Sequence, residues 1–156
     1  MILLESDTYA YSVFKHSVNS PSSKVIGLTS GCFDMIHYHH LIYLERCKNM
    51  CDILIVGIDS DILVKESKGP DRPKISENRR MRMVDALKVV DIVFPMNHVN
   101  DWIRIVDDMR PDKLFKNENF DDVEVHVGAH GKIIRVPDIK EISSTTQLIN
   151  SIKEEK

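Results

Sequence analysis

The chain is predicted to be an α/β protein: a doubly wound, three-layer α/β/α sheet of about five parallel strands. Three observations predict it. From Lys24 onward, apolar stretches alternate with amphipathic ones, the pattern of strands joined by helical crossovers. The run 53–58 (ILIVGI) is almost continuously apolar and rich in β-branched residues, as a strand covered on both faces must be. At 156 residues with 42% apolar composition, the chain can bury one real core but is short for two.

Taken in order, residues 1–23 are rich in Ser and read as a helical extension and a polar linker ending at Ser20-Pro21-Ser22-Ser23. The main domain then spans 24–156. Its first strand is expected at 24–29, followed by a helix over about 35–50 in which Leu41, Leu44, Cys47 and Cys51 fall at helical spacing. The second strand is 53–58. Asp59 and Ser60 after it suit either a ligand contact or a helix N-cap. Lys68-Gly69-Pro70-Asp71-Arg72-Pro73 is the strongest loop signal, because two prolines and a glycine do not fit a helix interior. Ser76 opens a helix carrying Arg79, Arg80, Met83, Val84 and Leu87. Strands are predicted at 91–94 and 113–115 with a helix over 99–109 between them. Residues 123–131 suit a helix ending at Gly131, although Val123, Val125 and Val127 also alternate. A strand at 133–136 and a C-terminal helix opening at 143–146 complete the pattern. Trp102 is expected in the core or an interface.

Composition narrows the partners. A net charge of −3 with mixed signs gives no bulk attraction for nucleic acid or membrane, so anions must be bound by local placement of basic groups and backbone N–H. No apolar run approaches the ~20 residues that span a bilayer. Three cysteines, an odd number, with no N-terminal apolar signal segment point to a cytoplasmic protein without a disulfide framework. Cys47 and Cys51, one helical turn apart, read as packing residues, since no second Cys pair completes a metal site.

The chemistry is concentrated in Thr29-Ser30-Gly31-Cys32-Phe33-Asp34-Met35-Ile36-His37-Tyr38-His39-His40, where the first strand gives way to the first helix. Parallel sheets bind ligands at such strand ends. A glycine there lets backbone N–H groups approach a phosphate, and the helix N-terminus adds partial positive charge. His37 and His40, three apart, would point to one place and donate to phosphate oxygens. A competing reading, a turn with surface histidines or a metal site of His37, His39 and His40, leaves Gly31, Phe33 and Asp34 unexplained.

These residues resemble the signature G-x-F-D-x-x-H-x-G-H of the nucleotidyltransferase superfamily: Gly31, Phe33, Asp34, His37 and His40 match. The resemblance implies a Rossmann-like domain in which the two histidines contact a triphosphate and stabilise the pentacoordinate α-phosphate, with no covalent enzyme intermediate. Ser30, Gly31, Cys32, Phe33, Asp34 and His39 would then line the nucleotide. The stretch 64–73 (VKESKGPDRP) with Arg80 downstream, Arg110-Pro111-Asp112 with Lys116, and Glu141 with Ser144-Thr145-Thr146 are similar to segments of the ADP-heptose synthases. Glycerol-3-phosphate cytidylyltransferases share the first and last features but not the K-G-P-x-R-P loop.

Lys65 and Lys68 on that loop, expected to be mobile, can reach a phosphate as point charges, and Arg80 can complete a pyrophosphate clamp. Lys116 and the hydroxyls of Ser144, Thr145 and Thr146 would hold further phosphate oxygens. Mg2+ is expected with the NTP, ATP or else CTP, and the partner is a small phosphorylated substrate. The superfamily resemblance also implies a homodimer. His39 stands where the signature has glycine, Asn117, Glu118 and Ile142 replace other glycines, and Gln147 replaces a basic residue. The first expectation is a nucleotidyltransferase that moves a nucleoside monophosphate from the NTP, ATP favoured, to a sugar phosphate such as heptose 1-phosphate and releases pyrophosphate, the alternative being CTP with glycerol 3-phosphate or another polyol phosphate. A nucleotide-binding module without catalysis is the second reading, motivated by His39, Ile142 and Gln147.

Overall fold

The computed structural model describes residues 24–118 and 131–138. The expected N-terminal extension, the helix over 123–130 and the Ser144-Thr145-Thr146 segment lie outside the described residues. Five strands form one sheet: β1 (Ile26–Gly31), β2 (Ile53–Asp59), β3 (Ile92–Met96), β4 (Lys113–Asn117) and β5 (Lys132–Val136). Their order is β3-β2-β1-β4-β5 and every pairing is parallel, with Ser30 opposite Gly57 and Leu28 opposite both Ile55 and Leu114. All five strands fall where the alternation of the sequence put them.

Four helices are described: α1 (Tyr38–Lys48), α2 (Asp61–Lys68), α3 (Glu77–Asp85) and α4 (Val99–Met109). The helix α4 has the predicted bounds, and α1 lies inside its predicted range. One expectation is corrected. Lys65 and Lys68 stand on α2 rather than on a mobile loop, because Ser60 caps a helix there by accepting from the N–H of Leu63. The loop begins only at Gly69, whose φ of 98° suits glycine alone.

The period of two in each strand sorts the core into two layers. On one face Ile26, Leu28, Ile55, Ile92, Phe94 and Leu114 pack with Trp102, Ile105, Val106 and Met109 of α4. On the other, Leu54, Val56, Ile58, Val93 and Phe115 pack with Leu44 and Cys47 of α1 and with Met81 and Val84 of α3. Trp102 and Cys47 are thus core residues, as read from the sequence. Pro95 is tolerated within β3 because β3 is the sheet edge.

This arrangement creates a topological switch point. From β1 the chain winds outward through β2 and β3 with α1 and α3 on one face, then returns through α4 on the other face to place β4 beside β1. Ligands of open α/β sheets bind at that switch, outside the carboxyl ends of the strands. The opposite edge is built for stability: Asp52, Asp91 and Asp112 accept the N–H groups of Val25, Leu54 and Ile26 at 2.7–2.8 Å. No helix among the described residues is long and apolar enough to cross a membrane.

Candidate active site

At the carboxyl edge, β1 runs two residues further than predicted and carries Ser30 and Gly31 to its end. A Cβ on Gly31 would stand 3.1 Å from the Phe33 ring, so a bare glycine lets that ring fold back over the strand end. Phe33 and Met35 both adopt left-handed backbone, φ 48° and 50°. For such side chains that conformation costs ~1–2 kcal/mol each, strain that the surrounding contacts must hold.

The head of α1 is built from histidines. His37 is the N-cap residue in extended backbone, and its Nδ1 accepts the N–H of His39 at 3.3 Å. In return His40 Nδ1 accepts the N–H of His37, also at 3.3 Å. This is a capping box in which imidazoles replace the usual hydroxyl and carboxylate. The two rings lie 4.1 Å apart between centroids, and the Phe33 ring lies 5.4 Å from that of His40.

That geometry decides the protonation. A ring nitrogen that accepts a backbone N–H cannot carry a proton, so in both histidines the proton resides on Nε2. Burial, then the nearby His37 and His39 rings, pushes His40 down to about 4, against a smaller opposing pull from Asp34. Burial, then His39, also lowers His37. At neutral pH the pair is therefore uncharged, with both ring protons on Nε2.

Asp34 faces inward and is fully buried. Its Oδ2 accepts from Arg72 Nε at 2.7 Å and from the N–H of Lys74 at 2.8 Å, and its Oδ1 accepts the N–H of Ile75 at 2.9 Å. Burial by itself would raise its pKa. The two backbone donors and the guanidinium outweigh this and hold the carboxyl below its ordinary value. Asp34 thus fastens the loop after α2 to the turn after β1, rather than presenting its oxygens to a ligand.

Arg80 is likewise internal, with no exposed surface. Nε donates to the Ile75 carbonyl at 2.8 Å, Nη1 to the Cys32 carbonyl at 2.5 Å, and Nη2 to the Asp59 carbonyl and Asp61 Oδ1, both at 2.7 Å. It ties the ends of β1 and β2, the start of α2 and the end of the loop into one floor beneath the site. The sequence signal for this was present but weak: Arg80 shares its helical face with Met81 and Val84.

Across the strand end, on the α4 face, Lys116 lies buried with Nζ 4.1 Å from the centre of the Trp102 ring and 3.4 Å from Ser30 Oγ. Desolvation drives its pKa down to about 8, with Asp59 pulling the other way. Burial raises Asp59 in turn, opposed by Arg80, Lys116 and Lys68, which places Lys68 within electrostatic reach of the end of β2. Lys68 and Lys65 are both exposed on α2. Among the described residues, Lys65 forms no side-chain hydrogen bond or ion pair with the other site residues.

Ser30, Gly31, Cys32, Phe33, Asp34, His37, His39, His40, Arg80 and Lys116 are therefore gathered at one strand edge. Arg72 as a partner of Asp34 and Trp102 as a partner of Lys116 escaped sequence reading. Cys32 is a free thiol whose pKa is raised mainly by burial, so it is not an activated nucleophile. Among the described residues no group of three or more His, Cys, Asp or Glu side chains is placed to hold a metal ion.

This architecture and motif agree with comparisons to known proteins. The family model for cytidylyltransferase-like proteins matches residues 28–153. The bifunctional protein HldE of Campylobacter jejuni (strain RM1221) is 39% identical over 137 residues, covering 86% of this chain and 29% of that protein. HldE of Campylobacter fetus is 34% identical over 132 residues, covering 85% and 29% respectively. The chain thus spans under a third of the length of these relatives. A lipopolysaccharide core biosynthesis protein from Thermoplasma volcanium superposes with a TM-score of 0.67 at 26% identity, over 76% of this chain and all of that one. The pantothenate synthetase of Thermus thermophilus, at 13% identity and a TM-score of 0.52 over 83% of this chain and 60% of that one, shares the fold. With the family model covering most of the sequence and the histidine-capped turn standing at the switch point, the chain belongs to the cytidylyltransferase-like family of nucleotidyltransferases.

Proposed function

We propose that this protein transfers a nucleoside monophosphate from an NTP, with ATP favoured, to a sugar phosphate such as heptose 1-phosphate, releasing pyrophosphate. The observation that carries the reading is the histidine pair: two neutral imidazoles, each with its proton directed to Nε2 by a backbone hydrogen bond, at the end of the central strand. The similarity to HldE over most of the chain favours a heptose-type acceptor. In the step proposed, an oxygen of the acceptor phosphate attacks the α-phosphorus, the bond to the β-phosphate oxygen breaks, and pyrophosphate leaves with the electron pair. The Nε2–H donors of His37 and His40 meet negative charge as it builds on the phosphate oxygens. Lys116, cationic below about pH 8, offsets the charge of an incoming phosphate.

Mg2+ fits this scheme. Its usual sites take one or two carboxylates together with substrate phosphates, and among the described residues the Asp59 carboxylate at the strand edge accepts no hydrogen bond from the fold, whereas both Asp34 oxygens do. The ion would supply charge neutralisation of the triphosphate. On this reading the partner is a small phosphorylated metabolite, and the enzyme works as a homodimer in the cytoplasm.

A screen for pyrophosphate release over four NTPs and a panel of sugar and polyol phosphates tests the proposal. Turnover with ATP and a sugar 1-phosphate is expected; turnover only with CTP and glycerol 3-phosphate would move the acceptor assignment. A second reading, nucleotide binding without catalysis, is favoured by His39 at the signature glycine, its Nε2 buried without a hydrogen-bond partner among the described residues. Saturable NTP binding with no pyrophosphate from any pair, in both the native chain and His39→Gly, would establish that reading instead.

A further inference from the structure

Arg80 does not play the clamp role expected of it, and Arg72, to which the sequence assigned no role, is the better placed guanidinium. Arg80, the expected clamp, has spent its guanidinium on three carbonyls and Asp61 and has no exposed surface. Arg72 is arranged in the opposite way. Its side chain is only 13% exposed, and among the described residues its one bond runs from Nε to Asp34 Oδ2 at 2.7 Å. Four N–H groups on Nη1 and Nη2 have no partner among the described residues.

We propose that Arg72 holds phosphate oxygens of the ligand through this terminal fork, a role that rests on the nucleotidyltransferase reading above. Three features support it. First, the guanidinium is fixed before any ligand arrives: Asp34 grips Nε and also the N–H groups of Lys74 and Ile75, so both the side chain and its loop are anchored. Little side-chain entropy is left to lose on binding. Second, the anchor is part of the phosphate turn itself. Asp34 stands in the turn between β1 and α1, three residues before His37, so the bond from Nε at 2.7 Å fastens the Arg72 side chain to the turn that leads into the histidine pair. Third, a planar fork with two parallel donors matches a phosphate in a way that the single ammonium of Lys68 does not. The signature aspartate accordingly acts through Arg72 as a positioning residue.

The phosphate can come from the NTP or from the acceptor. The test uses the full chain, with Arg72→Gln, which keeps a donor for Asp34 without charge or fork, Arg72→Lys, which keeps charge without the fork, and exposed Arg82→Ala as control. Calorimetry with ATP or CTP, and with the matching di- and monophosphates, is done without acceptor; the acceptor KM is then measured at saturating NTP. Arg72→Gln is expected to weaken triphosphate binding about 10- to 100-fold and monophosphate binding much less, with Arg72→Lys in between and Arg82→Ala unchanged. Unchanged NTP binding with an acceptor KM raised about tenfold or more also supports the proposal and assigns the fork to the acceptor phosphate.

A folded Arg72→Gln that matches the native chain in every arm overturns it. So does an equal loss for tri-, di- and monophosphate, the mark of a merely structural role. If Arg72→Gln does not fold, Arg72→Lys decides on the same criteria. A native chain that binds no nucleotide overturns the nucleotidyltransferase reading itself, which separates the two failures.

Discussion

His37 and His40 cap one helix start together: the backbone N–H of His37 donates to His40 Nδ1, His37 Nδ1 accepts the N–H of His39, and the two rings lie 4.1 Å apart. The same hydrogen bonds that start α1 also select the Nε2–H tautomer that a phosphate needs. On the proposed function, folding and catalysis share these side chains. His37→Ala and His40→Ala are each expected to lower kcat about 100-fold or more, with smaller changes in KM, and to cost about 1 kcal/mol of stability through the lost cap. Steady-state kinetics and urea titration of each variant check this. Near-normal turnover in either one would remove that histidine from the mechanism.

The depressed pKa of His40 fixes how stability varies with acid. Unfolded, the imidazole takes up its proton near 6.5; folded, it resists until about 4. Between those values the unfolded state binds more protons, so stability falls as pH drops from about 6.5 to about 4. Below about 4 the proton must enter Nδ1 and break the bond from the His37 N–H. Thermal midpoints at half-unit pH steps should show this decline, and His40→Gln should flatten it. An equally steep decline in His40→Gln would mean that another group governs the window.

Arg80 makes a contrasting prediction. A clamp residue, when removed, would raise KM and leave the fold alone, but Arg80 is a buried cation holding four acceptors from separate segments. Arg80→Met is therefore expected to lose about 3–5 kcal/mol of stability, since it leaves Asp61 and three carbonyls short of donors. Chemical denaturation measures it. A variant as stable as the native chain, with only a raised KM, would restore the clamp assignment.

The strands were legible because β-branched runs such as 53–58 state their burial in their own composition, and the turn was legible because one short stretch carries Gly31, Phe33, Asp34, His37 and His40 at fixed spacing. What was not legible is tertiary. Helix α2 reads as polar from Lys65 to Lys68, and its main local sign was the Ser60 cap. Asp34 and Arg72 are 38 residues apart, and neither residue alone announces the other. Which arginine is buried and which keeps donors to spare depends on how the loop closes over the turn, a decision made by packing.

Lys116 should give the activity an alkaline limb. Buried against Trp102, its ammonium loses its proton near pH 8 rather than near the 10.5 of an ordinary lysine. Phosphate affinity should fall as pH rises through about 8, because the neutral amine no longer offsets ligand charge. Lys116→Arg should retain affinity and abolish the limb, since guanidinium stays protonated, whereas Lys116→Met should lose both. A limb of unchanged position in Lys116→Arg, followed as KM against pH, would assign it to another group.

His39 separates the folded protein's interest from the ligand's. Its backbone N–H donates to His37 Nδ1 whatever side chain it bears, so the His39 imidazole itself is not needed to start α1. Among the described residues, its Nε2 is buried without a hydrogen-bond partner, which costs about 1–3 kcal/mol. His39→Phe fills a similar volume without the nitrogen and is expected to raise the thermal midpoint. His39→Gly removes the orphaned nitrogen but pays about 1 kcal/mol in helix propensity, so its midpoint should stay near that of the native chain. The space it opens beside the phosphate turn should tighten NTP binding and raise turnover several-fold. Should His39→Gly bind NTP more weakly than the native chain while remaining folded, the buried nitrogen is waiting for the ligand, and His39 is a contact rather than an obstruction.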